Sequence, residues 1–301
     1  MNSLAVQPMP LSPAVAPLVA QYHAAKPVRV WSLIITLYGD AVVPRGGSLW
    51  IGSLIEIMDL FGVDAGHVRT AISRLAADGW LDRVRRGRNS YYRLSKRGEG
   101  TFLAATRRIY AGDERPVNGK LRLALLKPLG EDRTPQRTEL AKAGFVPLSP
   151  TVFVGTADPP TGLNEVDGVY IVGVEPGAGA QEIATAAWKI APIVSSYGAF
   201  IDRFAPLDAA LGARKVLSGA EALVARTLLI HEFRRIVLRD PSLPQALLPS
   251  EWPGDIARAL AARVYARLAP PAETYLDEIA QNEDGPLPAA DASFRTRFST
   301  H

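Results

Sequence analysis

Residues 80–94, WLDRVRRGRNSYYRL, alternate apolar and polar side chains on both sides of Gly87-Arg88-Asn89. A period of two flanking a turn triplet predicts a two-stranded antiparallel hairpin, because only a pleated strand sends successive side chains to opposite faces. Tyr92 and Leu94 are expected on the core face, and Tyr91 and Arg93 on the other. Between 83 and 97 the chain carries seven Lys or Arg and no acid. Such a hairpin is either a solvated edge or the grip for a polyanion, and the segments before it decide between the two.

Directly upstream, Asp64 stands where an N-cap belongs before AGHVRTAISRLAADG, and Gly79 stops the pattern. Val68, Ala71, Ile72 and Leu75 form one apolar face of this helix. The opposite face offers His67, Arg69, Thr70, Ser73 and Arg74, side chains of the kind that reach phosphates and base edges. Earlier still, PVRVWSLIITLYGDAV has Val30, Leu33, Ile34 and Leu37 at helical spacing, with Pro27 suited to a first turn. A short strand at Leu49–Ile51 and a helix from about Ser53 to Gly62 follow. Helix, short strand, two helices and hairpin make a winged helix-turn-helix over residues 27–118, continued by a helix at 96–110. Arg85, Arg86, Arg88 and Asn89 then cluster at the tip of a wing, and Arg93, Lys96 and Arg97 add phosphate contacts. The partner implied is double-stranded DNA.

Charge supports the division. Residues 1–110 carry a net +7 and the remainder −3, within an overall +4. Cysteine is absent, which removes disulfides, thiolate metal sites and a cysteine nucleophile. The first 26 residues contain no Lys or Arg before Lys26, and prolines 8, 10, 13 and 17 break their apolar stretches. They are expected to be a flexible arm and not a secretion signal. No apolar run approaches the roughly 20 residues of a membrane helix, so a cytoplasmic protein is expected.

Beyond the linker AGDERPVNG, strand-like KLRLALLKP, TVFVGT and GVYIVGVEP alternate with helical RTPQRTELAKAG and AQEIATAAWKIAPIVSSYGAFIDRF, the last interrupted by Pro192. This pattern predicts a ferredoxin-like central domain over 119–207 and an α+β protein overall; for that domain a scaffold or dimerisation role is preferred over catalysis. SGAEALVARTLLIHEFRRIVLRD, ended by Pro241, and DIARALAARVYARLAPPAETYLDEIA predict a helical domain over 208–280. Residues 281–301 are expected to be a disordered tail.

Catalytic motifs do not emerge. HEFRR at 231–235 begins like a zinc-protease helix but has Arg235 where the second histidine must stand. GVEPGAGA fits neither phosphate-loop fingerprint, and no dinucleotide or nucleophile-elbow motif occurs. No enzyme, cofactor or metal is expected. His231 reads as a partly buried helix residue.

The segments 68–98 and 228–254, with weaker support from LSPTVFVG and from Trp188 to Tyr197, resemble the PaaX family of bacterial transcriptional repressors of phenylacetate catabolism. The resemblance implies a winged helix, a central ferredoxin-like domain and a helical C-terminal domain. It also implies a homodimer on a palindromic operator, released by an aryl-CoA effector such as phenylacetyl-CoA. It fixes no effector pocket residue by residue. Chemically, such a ligand needs cations for its phosphates and an apolar slot for its ring. Arg234, Arg235 and Arg239, with His231 and the aromatic walls Trp188, Tyr197 and Trp252, are the candidates, against the alternative that the arginines are solvated and the aromatics core. The central domain also resembles the small nuclease of CRISPR adaptation. Its first strand, however, ends in Lys127 and Pro128, with acids only at Glu131 and Asp132, which disfavours the alternative of a metal-dependent nuclease. A third reading is a winged-helix regulator that senses a different acyl-CoA or a small acid.

Overall fold

A computed structural model describes residues 11–111, 115, 119–127, 133–156 and 168–299. The chain divides into two compact units. One comprises Met1–Gly112, Ala199–Leu238 and Ile256–His301, the other Asp113–Gly198 and Arg239–Asp255. Helix and sheet are mixed in an α+β protein.

In the first unit the chain enters through α1 (Ala16–Ala24), not through a loose arm. Pro17 lies in its first turn, where a missing N–H costs nothing, and Val15, Leu18 and Tyr22 are buried. His23 Nε2 lies 2.7 Å from the Phe61 carbonyl, and the Ser12 amide donates to Glu221. Residues 1–10 of the expected arm lie outside the described residues.

Helix α2 (Val30–Leu37) begins three residues after Pro27 and buries Leu33, Ile34 and Leu37. A π-helical turn, Tyr38–Val42, carries the chain towards β1 (Ser48–Trp50), α3 (Ile51–Asp59) and α4 (Ala65–Ala77). Strands β2 (Leu81–Arg86) and β3 (Asn89–Leu94) follow, then α5 (Lys96–Thr106). The three strands form an antiparallel sheet in the order β1-β3-β2. The turn between β2 and β3 is tighter than the sequence triplet: Arg86 pairs with Asn89, leaving only Gly87 and Arg88 as loop. Gly87 sits at φ +59°, where a Cβ would be strained.

The face assignment of the tyrosines needs correction. Tyr92 and Leu94 are buried as expected, but Tyr91 is buried too. Strand β3 is central, not an edge, and Trp50 of β1 stands opposite Tyr91 on the face assigned to solvent.

In the second unit β4 (Leu121–Leu126), α6 (Thr134–Lys142), β5 (Val146–Pro147), β6 (Val152–Gly155), β7 (Val169–Val174) and α7 (Ala178–Ala187) follow in turn. The sheet is wholly antiparallel, ordered β5-β6-β4-β7. Ala124, Leu126, Phe153 and Val169 form its inner face and pack with Leu140 of α6 and Phe145. Part of the linker (112–114 and 116–118), and Pro128, Glu131 and Asp132 at the end of the first strand, lie outside the described residues.

The remaining helices are α8 (Ile190–Gly212), α9 (Gly219–Val237) and α10 (Pro253–Ile279). The boundary between the units falls within α8 and within α10. Helix α9 is buried along most of its length, with even Arg226 and Thr227 fully buried, and a helix of that kind belongs at the centre of a core. A capping box between Ser218 and Glu221 starts it.

Residues 281–299 are not disordered. They form the small hairpin β8 (Gln281–Asn282) and β9 (Gly285–Pro286), then α11 (Ala292–Arg295). Arg297, buried at 9% exposure, explains the ordering. Its Nη1 donates to the Asp40 carboxylate at 3.0 Å, alongside Arg226 Nε at 2.8 Å. Tyr110 and Tyr265 donate their hydroxyls to the same carboxylate at 2.7 and 2.9 Å. Glu273 extends the cluster by pairing with Arg226 and Arg45.

Candidate nucleic-acid interface

The face of α4 is built from its cap upward. Asp64 accepts the backbone N–H groups of Gly66 and His67, which satisfies donors that a helix start leaves orphaned. The His67 side chain also bonds to this carboxylate, and His67 holds it below the usual carboxylate range. Val68, Ala71, Ile72 and Leu75 are buried. Arg69, Thr70, Ser73 and Arg74 are exposed beside His67, as their spacing predicts. Thr70 spends its hydroxyl proton on the Gly66 carbonyl, and Arg74 stands 3.7 Å from Asp78. Arg69 forms no ion pair among the described residues.

The hairpin follows at once. Gly79, at φ +71°, turns the chain out of α4, and the Trp80 carbonyl accepts the Ser95 amide. Ser95 caps α5 through Gly98 and donates its hydroxyl to the Gly79 carbonyl at 2.6 Å. The end of α4, both hairpin roots and the start of α5 are thus tied at one point, which fixes the angle at which the hairpin leaves the helix. Arg85, Arg86, Arg88 and Asn89 are exposed at its tip, and Lys96 and Arg97 at its base.

Two of the expected phosphate ligands are already engaged. Arg93 pairs with Glu283, and Arg86 donates to Asp284 at 3.1 Å and to the Glu283 carbonyl at 3.3 Å. Ser48 Oγ also donates to Glu283. Burial opposes the charge on Glu283, but the bonds from Ser48 and Arg93 outweigh it and hold the carboxyl below its usual range. Sequence reasoning missed Glu283 and Asp284. The signal was present in QNEDG, two acids before a turn glycine, but it lay in a segment expected to be disordered.

The seven effector candidates are divided between the two units. His231, Arg234 and Arg235 belong to the first unit, and Trp188, Tyr197, Arg239 and Trp252 to the second. Tyr197 is core: it donates to Asp240 at 2.8 Å and meets Trp252 edge-on at 5.6 Å. Trp252 is buried, Trp188 half-buried and Arg239 exposed. Arg235 is exposed and pairs with Glu232 at 3.4 Å. His231 is buried, with Nδ1 3.0 Å from Thr36 Oγ1. Burial, then the charges of Arg234 and Arg235, push its pKa down to about 3, so it is a neutral core residue. Among the described residues, no group of three or more His, Asp or Glu is placed to hold a metal ion. No helix among them is long and apolar enough to cross a membrane.

Comparison with known proteins agrees with the resemblance. Residues 29–98 match the family model described as PaaX-like protein, and residues 188–278 that of the PaaX-like protein C-terminal domain, together more than half of the chain. The transcriptional repressor PaaX of Escherichia coli (strain K12) is 35% identical over 288 residues, covering 91% of each chain. Among solved structures, an uncharacterized protein of Mycobacterium tuberculosis, Rv0674, aligns with a TM-score of 0.45 at 21% identity, over 72% of this chain and 87% of its own. By family models and by near full-length identity, the chain belongs to the PaaX family.

Proposed function

We propose that the protein is a homodimeric transcriptional repressor of phenylacetate-type catabolic genes, which grips a palindromic operator and is released by an aryl-CoA thioester. One observation carries the DNA-binding part: the polar, basic face of α4 is followed without a break by an exposed hairpin tip of three arginines and Asn89. In this reading α3 and α4 are a helix-turn-helix, α4 enters the major groove, and β2–β3 is the wing. The name of the Escherichia coli relative supports repression, and the aryl-CoA effector is what the resemblance to the PaaX family implies.

The second unit is read as a ferredoxin-like dimerisation domain. Taking β5 as its second strand, the order β5-β6-β4-β7 is that of a split βαβ sandwich, first strand central. Tyr170 and Val172, on the outer face of the edge strand β7, are 58% and 47% exposed. Paired apolar side chains on an edge strand favour a second copy as their cover.

Gel shifts test the reading with a fragment carrying the promoter of an aryl-CoA ligase or ring-oxygenase operon. We expect a discrete complex that phenylacetyl-CoA dissolves and free phenylacetate does not. No sequence-selective complex overturns the repressor reading, and equal effects of acid and thioester overturn its CoA part.

A further inference from the structure

The first unit contains a cavity of about 200 Å³ that none of the expected effector residues except Arg234 touches. Trp31 and Ile35 of α2, Trp80 after α4, Phe102 and Ala105 of α5, and Ile230 of α9 supply its apolar wall. A dry apolar cavity of about 150 Å³ is enough to hold benzene. This one therefore holds a single six-membered ring with one or two further atoms, and not a nucleotide.

Its polar edge is specific. Arg234 donates through Nε to Thr36 Oγ1 at 2.7 Å and through Nη2 to the Ser32 carbonyl and hydroxyl at 2.9 and 2.7 Å. Among the described residues Nη1 carries no hydrogen bond, and no carboxylate forms an ion pair with the guanidinium. Burial, then the neighbouring Arg235, lowers its pKa to about 10. A half-buried guanidinium with one nitrogen, Nη1, left unbonded among the described residues at the rim of an apolar cavity is placed to donate to an acceptor oxygen of a ligand. Asp40 and Thr36, polar groups on the same wall, already have their partners.

From this geometry we infer that the cavity is the effector's ring-binding site: it takes a monocyclic aryl group bearing a carbonyl oxygen, ring among Trp31, Ile35, Phe102 and Ala105, oxygen on Arg234. The inference deepens the repressor reading and rests on it for its consequence. Trp80 leaves α4 directly, its amide bonded to the Leu75 carbonyl of the last turn and its carbonyl to Ser95 at the head of α5. A ring wedged between Trp80 and α5 acts on the joint that sets α4 against the hairpin. Thioester and free acid share the ring-plus-oxygen chemistry, so both serve as probes.

The test uses the full-length protein, titrated with phenylacetyl-CoA, phenylacetate and CoA while tryptophan fluorescence and operator binding are read in parallel. Two variants fill the cavity, Ala105→Leu mildly and Ala105→Phe fully. We expect saturable quenching by one or both aryl probes and none by CoA, with the half-saturation raised about tenfold (about 1.4 kcal/mol) or more in A105F and less in A105L. Quenching that neither variant weakens, or no quenching of the wild type by either aryl probe, overturns the site. If phenylacetyl-CoA releases the wild-type and A105F complexes alike, the effector acts elsewhere: the site is wrong while the repressor reading stands. If the protein binds no operator but quenching is lost in A105F, the site stands and the repressor reading falls.

Discussion

Asp40 is the residue on which the first unit is most dependent. Its carboxylate is wholly buried, receives two arginines and two tyrosine hydroxyls, and leaves Arg226 Nη2 and Arg297 Nε without partners. Removing one partner of such a cluster strands the opposite charge in a low dielectric, which costs about 3–5 kcal/mol. Asp40→Asn keeps the shape and loses the charge, and we expect its urea midpoint to fall by that equivalent; a change below about 1 kcal/mol would refute the role given to the cluster. His231 makes a prediction of opposite character. Its pKa is about 3 when folded against 6.5 for the free side chain, so between those values the unfolded chain binds the extra proton. Stability is therefore fully present above about pH 6.5 and falls as the pH drops towards 3. In His231→Asn, the difference in stability between pH 7 and pH 5 should shrink, as urea melts at the two pH values will show. At the surface, Arg69→Ala with Arg74→Ala removes two exposed cations from α4. Operator affinity should fall by about 1–3 kcal/mol for each arginine that pairs with a base edge, with the melting temperature within about 2 °C of wild type; unchanged gel shifts would remove α4 from the interface.

At the scale of elements, the turn of the β8–β9 hairpin holds two of the cations that the proposed wing would offer to DNA. Phosphates must either displace Glu283 from Arg93 and Asp284 from Arg86 or be held by the other cations. If about five phosphates are neutralised per subunit, log K falls with log salt at a slope near −4 to −5. We expect Glu283→Gln to weaken the hold on Arg93 and make that slope steeper by up to about one; a slope unchanged within error would show that Arg93 takes no part. How much of this was legible in the sequence follows from distance along the chain. The α4 face, its Asp64 cap and the existence of the β2–β3 hairpin arise from neighbours within one or two turns, and periodicity reads them directly, although it made the turn one residue too long. Arg297 and Asp40 lie 257 residues apart, and Arg93 and Glu283 lie 190 apart. No local pattern encodes such a pairing, so a polar, Pro-containing tail reads as disorder although it carries a buried cation. The cavity escaped for the same reason, since its wall comes from α2, the α4–β2 joint, α5 and α9. Tyr197 and Trp252 looked like a binding wall because a sequence does not say which aromatics pack on one another.

At the scale of the whole molecule, a single α4 supplies only part of an operator's selectivity. Two base-edge pairs, from Arg69 and Arg74, at about 1–3 kcal/mol each reach only the lower part of the roughly 4–10 kcal/mol that separate specific from non-specific binding. Two copies held at fixed spacing close that gap, because the second half-site is met at high effective concentration, raising affinity by about 10²–10⁴. The outer face of the second unit's sheet is the surface that favours such pairing. Tyr170 and Val172 stand in register with Leu125 and Leu123 of β4, forming a four-residue apolar patch that ends on an edge strand. Two aspartates there, Tyr170→Asp with Val172→Asp, put like charges face to face across a two-fold interface while leaving the inner core of Ala124, Leu126, Phe153 and Val169 untouched. We expect this variant to sediment as a monomer at concentrations where the wild type is a dimer. Its affinity for a full palindrome should fall about 10²-fold or more, with affinity for an isolated half-site unchanged. Loss of half-site binding as well would mean that the substitutions unfold the unit, which circular dichroism would register. A variant that remains dimeric would move the two-fold to another face and leave β7 with no part in assembly.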